Sequence, residues 1–335
     1  MAPLAANTVL GSTSQIPRGW FARITRYGFF LLAAGLLLLL ALGEIGLRVV
    51  FGLGHPMRYQ LDPACGYFTQ PNQHTRRLFS RTVINRFGMR SPEFSVDKPP
   101  GTLRLMFLGD SIAYGTILVD QDQIFVERVR KDLSRNLHRP VEAINASANS
   151  WAISNEYGFL RSRGTYNSDY VLLVLNSGDL DQPFANISEV QADQSSGSRT
   201  AIGELLATHW PASRKMSQPG GGTAVQDDPG AEQANLQNLT SIADFSRAQG
   251  AHFLLIFVPF RRYIARGAAG SVPYPLQQWA AAAGVDLLDL TPALSAYETR
   301  ATTLQDGVHL NAFGNQLIAE ALERYLAEKF RPSGP

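Results

Sequence analysis

Five short apolar runs, separated by segments of helical periodicity, constrain the fold of this chain more than any other feature. The runs are Leu103–Leu108 (LRLMFL), Val141–Asn145, Tyr170–Leu175 (YVLLVL), Phe253–Val258 and Val285–Leu288. Runs this short and this apolar suit strands buried on both faces, as in a parallel sheet covered by helices. Between them, Phe125, Val129, Leu133 and Leu137 recur at four-residue spacing, which predicts a helix with one buried face. Further helices are expected over Ser154–Arg163, Ala234–Gln249 and Pro275–Ala283. In the last helix Phe313, Leu317, Ile318, Leu322, Tyr325 and Leu326 form one apolar face, and Asn311 is placed to cap its start. Alternating strands and helices joined by right-handed crossovers give a doubly wound, three-layer α/β/α domain, here over residues 102–330.

Two segments depart from this rhythm. Residues 54–101 are rich in Pro, Arg and aromatics with no long periodic element, and read as a lead-in packed on the domain surface. Residues 186–231 are a polar insertion containing SSGS and SQPGGGTAVQDDPG, a composition expected of a mobile loop, with a short helical piece around Ile202–His209. An insertion of this length is either functional, such as a lid, or unstructured.

At the other extreme of polarity, Tyr27–Gly43 (YGFFLLAAGLLLLLALG) carries no charge, and Arg18, Arg23 and Arg26 precede it. Glu44 and Arg48 then interrupt an apolar stretch that continues to Leu53. Spanning a bilayer takes ~20 apolar residues, with a lower limit of about 17. Residues 27–53 are therefore expected to form a transmembrane anchor. The basic cluster keeps residues 1–26 in the cytoplasm and places the remainder on the periplasmic or extracellular side. The alternative is a cleaved signal peptide, for which Ala41-Leu42-Gly43 is a small-x-small site. Either way, the main domain is exported.

A formal net charge of +2 gives no reason to expect nucleic-acid binding. Cys65 is the only cysteine, so neither an intramolecular disulfide nor a thiolate metal cluster can form. No cofactor is suggested.

In an open parallel sheet, ligands bind beyond the carboxyl ends of the strands. The polar residues expected there are Gly109-Asp110-Ser111, Asn145–Ser150, Asn176–Asp179 and, before the last helix, Asp306-Gly307-Val308-His309. These residue types suit acyl transfer. A serine hydroxyl attacks an ester only when a base takes its proton, and an imidazole fixed by a carboxylate does so near neutral pH. Ser111 is the candidate nucleophile, His309 the base and Asp306 its orienting carboxylate. His138, His209 and His252 have no carboxylate at matching spacing before a helix. Asp110, Asp179 and His309 are too sparse a set for a metal site.

The segments FLGDSIAYG, INASANSW, VLNSGDL and DGVHLNAFG resemble, in order, blocks one, two, three and five of the SGNH/GDSL hydrolases, and the similarity covers about Leu103 to Leu326. The upstream INRFGMRSPEF and KPPGTLRLMFLGDS resemble the lead-in of membrane-anchored bacterial members that are often associated with exopolysaccharide genes. The resemblance implies a flavodoxin-like sheet and a Ser111–His309–Asp306 triad. Two blocks depart from the family pattern. The block-two glycine that donates a backbone N–H to the oxyanion aligns with Ser150, and the Gly-x-Asn-Asp of block three reads Asn176-Ser177-Gly178-Asp179. The family's oxyanion asparagine is thus Gly178, so Ser111, Ser150, Asn176 and Asn149 are the remaining candidate donors. The implied activity is hydrolysis of acyl esters, acetyl above all, on extracellular carbohydrate. Two alternatives are O-acetyl transfer to an exopolysaccharide beside its synthesis machinery, and a non-catalytic carbohydrate-binding or assembly protein. Trp151 and Trp210 are candidates for stacking on a sugar ring.

Overall fold

The computed structural model describes residues 18–188, 190, 200–209, 230–260 and 272–330. They fall into two compact units, one ending at Gly46 and one starting at Leu47. The first is made by all but the last five residues of helix α1 (Arg18–Phe51), which begins upstream of the uncharged run. The most apolar 18-residue window within its stretch Arg26–Phe51 has a mean hydropathy of 2.3, and leucines such as Leu31, Leu32 and Leu37 are exposed along it. A helix of this length and polarity can cross a bilayer, and a signal sequence near an N-terminus meets the same description.

The second unit is built on a five-stranded, all-parallel sheet of β5 (Leu103–Gly109), β6 (Val141–Ser147), β7 (Tyr170–Leu175), β8 (His252–Phe257) and β9 (Asp286–Asp289). The spatial order is β6-β5-β7-β8-β9. Each of the five apolar runs became a strand. Side chains alternate between faces with period two, so each strand feeds two cores. Met106, Leu108, Ile144, Val171, Leu173 and Leu255 face helices α4 (Ile153–Arg163) and α6 (Ala231–Ala248). Leu105, Phe107, Leu172, Val174, Leu254 and Ile256 face α3 (Phe125–Asn136) and α10 (Ala312–Phe330). Helices α7 (Tyr274–Ala283), α8 (Thr291–Ser295) and α9 (Thr299–Thr302) complete the β8–β9 side and the approach to α10. The strand order reverses direction at β5, and that is where an open sheet opens a crevice at its carboxyl edge.

The lead-in is not a surface coat. It forms two antiparallel hairpins, β1–β2 (Tyr59–Asp62 with Gly66–Thr69) and β3–β4 (Gln73–Arg77 with Ser80–Ile84). Tyr67, Phe68 and Met89 are fully buried in the first core. Phe68 stacks on Trp151 at 5.3 Å between ring centroids and meets Phe159 of α4 at 4.9 Å. Gly158 makes this approach possible, since an added Cβ would lie 1.9 Å from the Ala64 carbonyl oxygen. Trp151 is fully buried and its indole N–H donates to Tyr67 O at 3.0 Å, so it presents no ring to a sugar. Tyr67, Phe68 and Phe94 of the lead-in are core because this segment packs over the α4 layer.

Within the insertion, α5 (Ala201–His209) matches the expected helical piece. Its Glu204 accepts from Gly54 N at 2.7 Å and pairs with Arg77. Most of 186–231, Trp210 included, lies outside the described residues, and with it the expectation of a lid.

Candidate active site

The first side of the site is made where β5 turns into α2 (Ser111–Tyr114). Gly109 is required at this turn: a Cβ there would come within 2.8 Å of Ala113 Cβ and 2.9 Å of Val174 O. Asp110 caps the short helix by accepting from Ile112 N at 2.8 Å, which leaves Ser111 as its first residue, half-buried at the strand edge. Two buried side chains hold α2 in place. Asn145 of β6 donates to Ala113 O at 2.9 Å. Arg90, fully buried, donates to Tyr114 O at 3.0 Å, Thr116 O at 2.6 Å and Val119 O at 2.7 Å. Burial pulls the Arg90 guanidinium down to about 10.

The second side is a tight loop ahead of α10. A bridge between Thr303 and Leu310 closes it, Leu304 N donates to His309 O at 2.8 Å, and Gly307 turns the chain at φ +69°. Asn311 caps α10 as expected, its Oδ1 accepting from Phe313 N at 3.0 Å and Gly314 N at 2.9 Å. Asn315 then accepts from Phe125 N at 2.9 Å, tying α10 to the start of α3. These ties fix residues almost two hundred positions apart: His309 Nε2 lies 2.9 Å from Ser111 Oγ, and His309 Nδ1 lies 2.7 Å from Asp306 Oδ2.

The electrostatics fit the geometry. Burial would raise the Asp306 carboxyl, but hydrogen bonds from the His309 ring and from Val308 N and His309 N outweigh it and hold the group below the usual carboxylate range. An ionised Asp306 takes the Nδ1–H, which leaves Nε2 as the acceptor for the serine hydroxyl. Chemically, this arrangement can move a proton from Ser111 Oγ to His309.

Behind Ser111 lies a buried carboxyl cluster. Asp110, Asp179 and Glu156 are each at most 6% exposed. Asn176 sits between the first two, donating to Asp110 Oδ2 at 2.9 Å and Asp179 Oδ1 at 2.7 Å. Burial pushes Asp110 up to about 6, and burial plus the neighbouring carboxylates raise Asp179 and Glu156 well above their ordinary range. The cluster therefore retains protons at pH values where exposed carboxyls have lost theirs.

The candidate oxyanion donors separate into two groups. Ser150 adopts φ +61°, the left-handed conformation that favours the family's glycine, and Gln182 Nε2 fixes this turn by donating to Ser150 O at 2.8 Å. The N–H groups of Ser111 and Ser150 have no acceptor among the described residues. Asn176 corrects the expectation: both protons of its amide are taken by Asp110 and Asp179, and its Oδ1 accepts from Gly178 N at 2.8 Å, so it has no donor to offer. Asn149 lies in the same turn as Ser150, with its carbonyl held by Tyr67 Oη at 2.5 Å and its Oδ1 buried without a partner among the described residues. Gly178 is at φ −110°, open to any L-residue, and a Cβ there would make ordinary contacts of 3.4 Å with Asn176 Oδ1 and Phe260.

Asn145 falls within the polar segment expected at this edge, where its part is to position α2. Two other positioning residues, Arg90 and Gln182, escaped the sequence reading, because they lie in irregular segments where no periodicity marks a polar group turned inward.

Among solved structures, the chain is similar to a lipase/acylhydrolase from Enterococcus faecalis (16% identity, TM-score 0.44, covering 70% of this chain and 100% of that one). It is also similar to the psychrotrophic esterase EstA from Pseudoalteromonas sp. (17%, TM-score 0.40, 68% and 99%). A third similar structure is the acetyl xylan esterase AlAXEase (17%, TM-score 0.44, 67% and 100%). No curated protein matches it. The model of the GDSL-like lipase/acylhydrolase family matches residues 107–317, from the middle of β5 into α10, and the chain belongs to that family of ester-hydrolysing serine hydrolases.

Proposed function

We propose that the protein hydrolyses acetyl esters on carbohydrate outside the cytoplasm, with Ser111 as nucleophile, His309 as general base and acid, and Asp306 as the group that orients His309. The observation that carries this reading is the unbroken hydrogen-bond chain Ser111 Oγ–His309 Nε2 and His309 Nδ1–Asp306 Oδ2. His309 takes the Ser111 proton as Oγ attacks the acyl carbon, then returns it to the departing sugar oxygen. Water next takes the place of the sugar, loses a proton to His309 and attacks the acyl carbon; the bond from that carbon to Ser111 Oγ then breaks, His309 returns the proton to Oγ, and acetate leaves. The free N–H groups of Ser111 and Ser150 are suited to the oxyanion that forms in both steps. The acetyl group and the carbohydrate come from the resemblance to membrane-anchored family members.

The test is acetate release by the full chain from an acetylated oligosaccharide, with a long-chain acyl ester as comparison. Faster release from the acetylated sugar supports the reading. Acetate found only on an added acceptor sugar replaces hydrolysis with transfer, and no release from either ester removes the reading.

The oxyanion site has a vacancy that one substitution addresses. Loss of a side-chain donor costs ~10²–10³ in rate in a hydrolase site. Gly178→Asn has room for its Cβ and no backbone conflict, so it is expected to raise kcat on an activated ester about tenfold or more. An unchanged kcat in a folded variant would mean that another group already supplies that donor.

A further inference from the structure

The β3–β4 hairpin ends in a turn that its sequence makes costly. Arg77 pairs with Ser80, so Leu78 and Phe79 are the two turn residues, at φ +45° and +73°. Two-residue hairpin turns of this kind favour Asn and Gly, because other side chains are strained at positive φ. Here two large apolar residues occupy them and are also exposed, Leu78 by 48% and Phe79 by 62%. The turn geometry gives no reason for two large apolar residues here, and most of the Phe79 surface stays uncovered. The tip is tied to the last residue of α1: Leu78 N donates to Phe51 O at 2.9 Å, and the Phe79 ring meets the Phe51 ring edge-on at 5.7 Å.

Beside the tip is a cleft of about 760 Å³ whose lining includes Arg48, His55, Arg58, His74 and Arg76, with no Asp or Glu among its lining residues. His74 and Arg76 project from the same face of β3, two residues apart, and both are exposed, as are His55 and Arg58. Arg58 and Arg76 make no ion pair among the described residues, and the nearby Glu204 is engaged by Arg77 and Gly54 N. Arg48 follows the uncharged run Tyr27–Gly43 by five residues in the sequence. Exposed apolar side chains flanked by arginines next to the end of an apolar helix suit one environment, an interface between hydrocarbon and anionic headgroups.

We propose that this face, the Leu78–Phe79 tip with the Arg48–Arg58–Arg76 cleft, docks on anionic phospholipid headgroups of the bilayer that α1 enters. The tip inserts into the acyl boundary, and the arginines take lipid phosphates. An arginine near an anionic bilayer surface strengthens binding by about fivefold.

The experiment uses the full chain in nanodiscs of phosphatidylcholine, with or without phosphatidylglycerol. A Phe79→Cys variant carries an environment-sensitive fluorophore, and the native Cys65 is fully buried and has its thiol pushed up by burial. Leu78→Cys serves if the first variant melts at a lower temperature than wild type. The expected result is blue-shifted emission quenched by spin-labelled acyl chains in discs holding phosphatidylglycerol. Arg58→Glu with Arg76→Glu should reduce that quenching at least fivefold without a change in Tm. Solvent-like emission in both kinds of disc overturns the proposal, as does quenching that neither phosphatidylglycerol nor the charge reversals alter. Loss of the signal on adding soluble glycerol phosphate, with no dependence on disc composition, also overturns it, because the cleft would then be a site for free phosphate esters.

Discussion

Ser111→Ala is expected to lower kcat on an activated acetyl ester by about 10⁶, with Tm unchanged from the wild-type value. The size follows from what the hydroxyl does. In the proposed mechanism its Oγ is the atom that becomes acylated, and no other hydroxyl lies within hydrogen-bonding distance of His309 Nε2 among the described residues. The stability side follows from its contacts. Among the described residues Ser111 Oγ reaches only His309 and, at 3.5 Å, Asp110, and the turn that carries it is held by Gly109, Asn145 and Arg90. Steady-state kinetics and a thermal melt on the same preparation check both halves. A variant within tenfold of wild type would remove Ser111 from the chemistry.

Asp306→Asn is expected to lower kcat by about 10⁴ with little change in KM. The asparagine oxygen can still accept from Val308 N and His309 N, at 2.9 and 3.0 Å in the native loop, so the loop should keep its shape. Its amide group, however, presents N–H to His309 Nδ1. The ring must then carry its proton on Nε2, where it faces Ser111 Oγ as a donor and cannot take the serine proton. The split between kcat and KM separates this effect from a collapsed loop, which would raise KM as well. A fall in kcat below tenfold would show that Asp306 does not set the tautomer.

Much of this arrangement was legible in the chain because it depends on short-range patterns. The five apolar runs needed no tertiary information to be read as doubly buried strands. Right-handed crossovers then put Ser111 and the Asp306–His309 loop at the same edge of the sheet. Asn311 as a cap followed from its place before the apolar face of α10. Less legible were the parts whose meaning depends on distant partners. Tyr67, Phe68 and Met89 lie in strands and turns too short to show a period, so their burial beneath α4 appears only once Gly158 is seen to admit the Ala64 carbonyl. Asn176 shows the same limit in the site itself. Its residue type suits an oxyanion donor, but Asp110 and Asp179 lie close enough to take both amide protons, and the sequence does not place them there.

The claim on which the rest depends is that Ser111 is the hydroxyl activated by His309. A fluorophosphonate reacts far faster with a serine activated in this way than with an ordinary hydroxyl and forms a stable bond to it, so peptide mass mapping of the labelled full chain tests the claim directly. The account predicts one phosphonylated peptide, carrying Ser111, absent in Ser111→Ala and formed far more slowly in His309→Ala. Labelling that persists in Ser111→Ala, or that maps to another serine in the wild-type chain, would contradict it.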